Sequence, residues 1–171
     1  MTAERSRQTA AWFAAHPRLK AGVVAANRWL PLIPFACYPA LLIWLGLKLA
    51  AGQTQLLPAA VRAVLVPAAV FLGGTALRRA LNFPRPYQQP GFVPLVQKER
   101  QGCSFPSRHA LSAGVIAAVW LYFSPAAGAA LTVVALVICG LRVLTGIHFV
   151  RDVAAGVILG FALGLAGMWL L

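Results

Sequence analysis

A histidine and an aspartate near the end of the chain stand in a pattern typical of a catalytic pair. In the stretch GLRVLTGIHFVRD, residues 140–152, His148 and Asp152 are four positions apart, so on a helix they would share one face. The carboxylate then accepts a hydrogen bond from one ring nitrogen and leaves the other nitrogen free as a nucleophile. A structural ion pair of Asp152 with Arg142 or Arg151 is the alternative interpretation.

Two further segments carry residues suited to binding an anion. In CSFPSRHA, Ser107 is a predicted N-cap and His109 falls in the first turn of the following helix, where backbone N–H groups attract negative charge. In RRALNFPRP, Arg78 and Arg85 are seven positions apart, and prolines stiffen the chain around Arg85. Because the arginine fork bonds two phosphate oxygens at once, we predict an anion clamp. The alternative, an ordinary basic membrane flank, is our interpretation of Arg79.

The composition places these residues in a membrane protein. Of the 171 residues, 60% are hydrophobic and 11% are charged, and the mean hydropathy is +0.77. A soluble domain carries about 25% charged residues. The net charge of +12 fits basic flanks in anionic lipid or a site for an anionic substrate. Nucleic-acid binding is disfavoured, because no soluble domain is available to carry it.

The hydrophobic pattern predicts an all-α integral membrane bundle of five spans. The uncharged run 110–141 is too long for one span of about 20 residues, and its SPAAG turn divides it into two. Residues 1–28 are basic and amphipathic, which predicts an interfacial helix ahead of a transmembrane domain over 29–171. The predicted spans are about Trp29–Leu49, Leu56–Leu77, Ser107–Phe123, Ala126–Val143 and Asp152–Leu171.

This topology places the unusual polar residues on one membrane face. The loops at about 78–109 and 142–152 follow the second and fourth predicted spans, so both lie on the same side. We therefore predict that the two loops converge into one site.

Together the three segments resemble the type 2 phosphatidic acid phosphatase superfamily of membrane lipid phosphatases and acid phosphatases. The family motifs are Lys-x6-Arg-Pro, Pro-Ser-Gly-His and Ser-Arg-x5-His-x3-Asp, and the similarity covers about residues 56–160. The corresponding runs are Arg78-x6-Arg85-Pro86, Pro106-Ser107-Arg108-His109 and Arg142-x5-His148-x3-Asp152.

The chain departs from the family pattern at three positions. Arg78 replaces a lysine and keeps its charge. Arg108 replaces a glycine, which changes access to the backbone amide and adds a phosphate ligand. Leu141 replaces a serine and loses one hydroxyl. None of the three replacements removes a catalytic group.

The resemblance implies a two-step phosphoryl transfer without a metal or another cofactor. His148 attacks phosphorus and forms a phosphohistidine, Asp152 holds the imidazole, and His109 protonates the leaving oxygen and later helps to activate water. The residues implied to bind the phosphate are Arg78, Arg85, Ser107, Arg108 and Arg142.

Two alternatives to a metal-free phosphatase are weighed on the same residues. Both histidines and Asp152 could ligate a metal, but the four arginines of the motifs would repel a dication. A transporter for anions or lipid phosphates would bind phosphate without cleaving it. The His-x3-Asp pair beside a second histidine favours the enzyme, because binding alone needs no nucleophile.

The predicted substrate is a lipid phosphate or diphosphate whose tail stays in the bilayer. The candidates are undecaprenyl diphosphate, phosphatidylglycerol phosphate and phosphatidic acid. The small size favours a bacterial inner-membrane protein. Without the motif arginines, nine basic residues lie on the site's side and two on the other, which predicts a cytoplasmic site. The resemblance implies the periplasmic face instead, and the sequence leaves the oligomeric state open.

Overall fold

The computed structural model describes residues 1–171 as an all-helical protein with no β-strand. Its seven α-helices are α1 (Ala3–Ala15), α2 (Pro17–Trp29), α3 (Leu32–Ala50), α4 (Leu57–Leu81), α5 (Arg108–Phe123), α6 (Pro125–Leu144) and α7 (Val150–Trp169). Short 3-10 turns lie at Thr54–Leu56 and Pro86–Gln88. The predicted all-α membrane bundle is confirmed, and helices α3 to α7 match the five predicted spans within a few residues.

Four helical segments are long and apolar enough to cross a membrane. They are Pro17–Ala50, Thr54–Gln88, Pro125–Leu144 and Val150–Trp169. Helix α5 is apolar but shorter, at 16 residues. It packs against α4, α6 and α7 and is buried through most of its length, so it forms the centre of the bundle.

The N-terminal stretch contains two helices where the sequence predicts one. Helix α1 ends at Ala15 and α2 begins at Pro17. The residue before a proline is disfavoured in the α region, and His16 accordingly has φ −128° and ψ 65°. The position of these two helices at a membrane interface remains a prediction.

The predicted turn between the third and fourth spans is present as a helix cap. Ser124 ends α5 and is the N-cap of α6, where its hydroxyl accepts a hydrogen bond from the Ala127 N–H at 3.4 Å. Pro125 occupies the first turn, where its missing N–H is not needed. The two helices therefore run antiparallel from one tight connection.

Helices α5 and α7 pack closely because glycines face the opposing backbone. A Cβ added to Gly156 would lie 2.6 Å from the Ser107 carbonyl oxygen, and one added to Gly114 would lie 2.7 Å from that of Val157. Both distances are shorter than real Cβ contacts, so larger side chains would push the helices apart. The glycine-rich sequence of α7 thus sets the separation of the two helices whose first turns border the site.

Candidate active site

The two loops that were predicted to converge line a single cavity of about 170 Å³. Six of its ten lining residues are arginine or lysine, and none is acidic. The lining residues are Arg78, Arg85, Tyr87, Lys98, Arg100, Arg108, His109, Arg142, Ile147 and His148. A concave surface with one sign of charge concentrates its field, so the cavity is suited to an anion.

Asp152 lies behind His148 and is fully buried. The distance from His148 Nδ1 to Asp152 Oδ2 is 3.5 Å, longer than a normal hydrogen bond. Ser104 joins the two side chains: its hydroxyl donates to Asp152 Oδ2 at 2.5 Å and lies 3.3 Å from His148 Nδ1. The predicted pair is therefore a group of three, and Nε2 is the ring nitrogen left for the cavity.

The backbone around this group differs from the continuous helix that the spacing suggested. His148 lies in the turn before α7, which begins at Val150. Asp152 sits in the first turn of α7 and accepts the Phe149 N–H at 3.1 Å, so its carboxylate also caps the helix. The alternative ion pair is weak: Arg151 Nε is 3.6 Å from Asp152 Oδ1, but the Arg151 side chain is 61% exposed.

Three arginines of the motifs are buried at the cavity. Arg78, Arg85 and Arg142 are 6%, 5% and 8% exposed. Arg78 donates to the Pro106 carbonyl at 3.2 Å, and Arg85 Nε donates to the Gly102 carbonyl at 3.0 Å. The Arg142 Nε has no hydrogen-bond partner. Because a buried charge without a partner is costly, a bound anion would supply the missing interaction.

Ser107 and its neighbours connect the second motif to the third. Ser107 is the N-cap of α5, but its side chain makes no capping bond, and its hydroxyl is buried without a partner. Its N–H donates to the backbone carbonyl of Asp152 at 2.8 Å. Arg108 and His109 line the cavity, whereas Ser107 does not.

The electrostatic surroundings of His148 keep its imidazole neutral. The residue is 4% exposed, and this burial lowers the pKa of His148 below the ordinary 6.5. The hydrogen bond and charge of Asp152 oppose the shift, while Arg85 and Arg78 add to it. The neutral form, which carries a free lone pair, therefore predominates near neutral pH.

An apolar groove runs from beside the cavity along the outer surface of the bundle, where Phe35, Val64 and Phe71 are exposed. A space of about 230 Å³ beside the site is lined by Phe35, Phe71, Arg108 and His109. A second space of about 280 Å³ shares the two phenylalanines and extends along α3, α4 and α5. Charged residues at one end and apolar walls at the other suit an amphiphile.

The sequence analysis did not predict five residues at the site. Ser104 stands three residues before Ser107, within the quoted second segment, but nothing in the spacing shows that it reaches His148. The other four, Tyr87, Lys98, Arg100 and Ile147, line the cavity. Their charges and aromatic character are visible in the sequence, whereas their orientation depends on how the loop folds.

The possible metal ligands are not assembled. No three His, Cys, Asp or Glu side chains are grouped closely enough to hold a metal ion. Metal independence itself stays a prediction.

Comparisons with known proteins place the chain in a family. The model of the PAP2 superfamily matches residues 59–171. The structure of LpxE from Aquifex aeolicus has a TM-score of 0.67 and 23% identity, over 89% of this chain and 86% of that one. The first transmembrane PAP2 type phosphatidylglycerolphosphate phosphatase from Bacillus subtilis has a TM-score of 0.51 and 25% identity, over 96% and 89%. No curated protein sequence matches the chain. Since the family model covers more than half of its length, the chain belongs to the PAP2 superfamily.

Proposed function

We propose that the protein is a membrane lipid phosphatase that hydrolyses a lipid phosphate or diphosphate through a phosphohistidine intermediate. One observation carries the proposal: His148 has a buried serine and carboxylate on one side and an arginine-lined cavity on the other. This arrangement holds one ring nitrogen and presents the second to a bound phosphate. Membership of the PAP2 superfamily supports the same chemistry.

In the first step, His148 Nε2 attacks phosphorus. A P–N bond forms as the bond from phosphorus to the lipid oxygen breaks. His109, which becomes protonated when the anionic phosphate binds beside it, gives its proton to that oxygen. Asp152 and Ser104 keep the imidazole oriented and stabilise the positive charge that it develops. The buried arginines hold the phosphoryl oxygens, whose charge is spread over the transition state.

In the second step, water cleaves the intermediate. His109, now neutral, removes a proton from a water molecule as the water oxygen attacks phosphorus. The P–N bond breaks and its electrons return to Nε2, so inorganic phosphate and free His148 result. Atoms and protons balance over the two steps without a metal or another cofactor.

The surroundings of the site support a lipid as substrate. The apolar groove bordered by Phe35 and Phe71 begins beside His109, so an acyl or prenyl chain can remain among apolar side chains while the phosphate enters the cavity. Undecaprenyl diphosphate, phosphatidylglycerol phosphate and phosphatidic acid all fit this description. The name of the Bacillus subtilis relative supports phosphatidylglycerol phosphate as one of the three.

A transporter that binds phosphate without cleaving it is the rival function. The buried Ser104–Asp152 pair behind His148 argues against it. Binding an anion needs the arginines, but it does not need a neutral imidazole whose orientation a carboxylate maintains.

Phosphate release from the purified protein in detergent tests the proposal. A panel of lipid phosphates and diphosphates should yield inorganic phosphate in the presence of EDTA. A substrate labelled on the terminal phosphate should transfer acid-labile label to the wild type and none to His148→Ala. Binding of the lipids without phosphate release would favour the transporter, and activity that requires added metal would contradict the metal-free mechanism.

We further propose that the protein lies in a bacterial inner membrane with its site on the cytoplasmic face. The excess of nine basic residues over two on the site's side supports this orientation. A single cysteine at the exposed Gln97, in a chain whose native cysteines are replaced, should react with a membrane-impermeant maleimide only after permeabilisation. Labelling of intact cells would place the site outside.

A further inference from the structure

Five of the six basic residues of the cavity form two groups that differ in burial, and the sixth, Arg108, is half-buried. The inner group, Arg78, Arg85 and Arg142, is at most 8% exposed. The outer group, Lys98 and Arg100, lines the same cavity from its solvent-exposed edge. The family motifs account for the inner group only, so the outer group requires its own explanation.

The loop that carries the outer group is held on both sides by hydrogen bonds. On one side, the Val96 N–H donates to the Thr145 carbonyl at 3.3 Å, which ties the loop to the connection after α6. On the other, the Tyr87 hydroxyl donates to the Arg100 carbonyl at 2.5 Å. Lys98 lies between these two contacts. The outer cations are therefore part of the cavity wall.

Beyond Arg100, two polar side chains extend this attachment. Gln88 Oε1 accepts the Gly102 N–H at 3.0 Å, and Asn82 Oδ1 accepts the Cys103 N–H at 3.1 Å. These contacts lead directly to the carbonyl of Gly102 that holds Arg85, so the inner and outer groups share one supporting segment.

Charge and size both exceed what one phosphate requires. A phosphate monoester carries about −1.5 to −2 at pH 7, and the three inner arginines already provide +3. One water molecule needs about 10–15 Å³, so a cavity of about 170 Å³ has room for more than the four oxygens of one phosphate. With no acidic residue in the wall, the outer cations have no protein partner for their charge.

We propose that Lys98 and Arg100 bind a second phosphate, carried by the leaving group of the substrate. The proposal rests on hydrolysis at His148 as described above. It narrows the substrate to a lipid diphosphate or to a lipid with a phosphodiester next to its terminal phosphate, and it disfavours phosphatidic acid. In a diphosphate, the bridging P–O bond breaks, its electrons stay on the bridging oxygen, and that oxygen takes the proton of His109. The outer cations stabilise the negative charge that the departing lipid monophosphate carries.

Matched substrate pairs test the subsite in neutral detergent. Farnesyl diphosphate is compared with farnesyl monophosphate, and phosphatidylglycerol phosphate with phosphatidic acid. For at least one pair, the wild type should show a kcat/KM about tenfold higher for the member with two phosphates, as expected for charge-assisted hydrogen bonds. The double variant Lys98→Ala with Arg100→Ala should bring that ratio close to one, while the control Arg79→Ala should preserve it.

The outcomes separate the subsite from the phosphatase itself. If the double variant loses the preference only within the farnesyl pair, the second phosphate belongs to a diphosphate. If it loses the preference only within the glycerolipid pair, the second phosphate is a phosphodiester. If the double variant leaves the kcat/KM ratio of each pair unaltered, the subsite is overturned and the phosphatase is not. The same holds if the double variant loses kcat/KM equally on all four lipids while its melting temperature is unchanged. A wild type that hydrolyses none of the four lipids contradicts the phosphatase and the subsite together.

Discussion

Residues 1–58 and residues 59–171 differ in how closely their helices pack. In the second part, α5 and α7 touch through glycines that leave no room for a Cβ, as at Gly156. In the first part, a Cβ added to Gly22 or Gly46 would meet nothing within 4 Å, as is also the case at the exposed Gly73 and Gly140 of the second part. The family model and every motif residue fall within the second part. The residues of the proposed chemistry thus lie in the part of the chain that contains these close helix contacts.

The first part contacts the groove and the loop beside the cavity. Phe35 of α3 forms a wall of the apolar groove. The Ser6 hydroxyl of α1 accepts the Val93 N–H at 3.0 Å and so contacts the loop that borders the cavity. Substitutions in the two parts should therefore have very different effects on turnover.

His148→Ala should have the largest effect and abolish turnover, because it removes the proposed nucleophile. His16→Ala, at the exposed junction of α1 and α2, is the matched control and should retain near-wild-type activity. Phosphate release and the melting temperature in detergent measure both. Substantial activity in His148→Ala would show that the proposed mechanism is wrong.

Arg85→Ala or Arg142→Ala should lower kcat/KM by about 30- to 1000-fold. Each removes charge-assisted donors to the transition state, an effect of about 2–4 kcal/mol. Arg79→Ala should have little effect, since Arg79 does not line the cavity. Steady-state kinetics check the three variants. Equal losses in all of them would indicate a diffuse basic surface.

Ser104→Ala should lower kcat by about 10- to 100-fold with little change in KM. A hydrogen bond to a charged group contributes about 1.5–3 kcal/mol, and here it orients the carboxylate behind His148. Ser124→Ala, which removes a helix cap remote from the cavity, should reduce stability by about 1 kcal/mol without this loss of kcat. A rise in KM alone would assign Ser104 to substrate binding instead.

Gly156→Leu should destabilise the bundle and reduce activity together. Overpacking costs about 1–3 kcal/mol, and the added side chain would meet the Ser107 carbonyl at the first turn of α5. Gly46→Leu meets no neighbour and should leave both properties close to wild type. Thermal unfolding in detergent, measured beside turnover, checks the pair. Equal melting temperatures would refute the contrast between the two parts of the chain.

The smallest expected effect is a displaced pH profile. Burial lowers the pKa of His148, so protonation blocks the nucleophile only below its ordinary value of 6.5. On the acid side, kcat/KM should fall as His148 becomes protonated, and the midpoint of this fall should lie below pH 6.5. Activity should therefore be retained as the pH is lowered to 6.5. A thiophosphate ester, which keeps the scissile P–O bond but ionises at a lower pH, separates the enzyme's limb from the substrate's. A midpoint above 6.5 that does not move with the substrate would contradict the shift.

Much of the fold follows from the sequence because hydrocarbon allows few solutions. A lipid-exposed backbone must satisfy its hydrogen bonds internally, so long uncharged runs become helices. Ser124, the first residue of SPAAG, caps the junction between two of them. The predicted single N-terminal helix was less constrained. A residue before proline is disfavoured in the α region. His16, which precedes Pro17, therefore divides the N-terminal stretch into two helices.

The sequence by itself determined which residue types flank the spans, because the motif spacing can be read from the chain. It also determined that the two loops share one membrane face, because an even number of spans separates them. Tertiary structure alone decided the rest. Ser104 reaches Asp152 across 48 residues of sequence, and Lys98 and Arg100 face the cavity because Thr145 and Tyr87 hold their loop. Neither contact repeats with a helical period, so no local pattern encodes it; both arise where separate loops meet at the ends of packed helices.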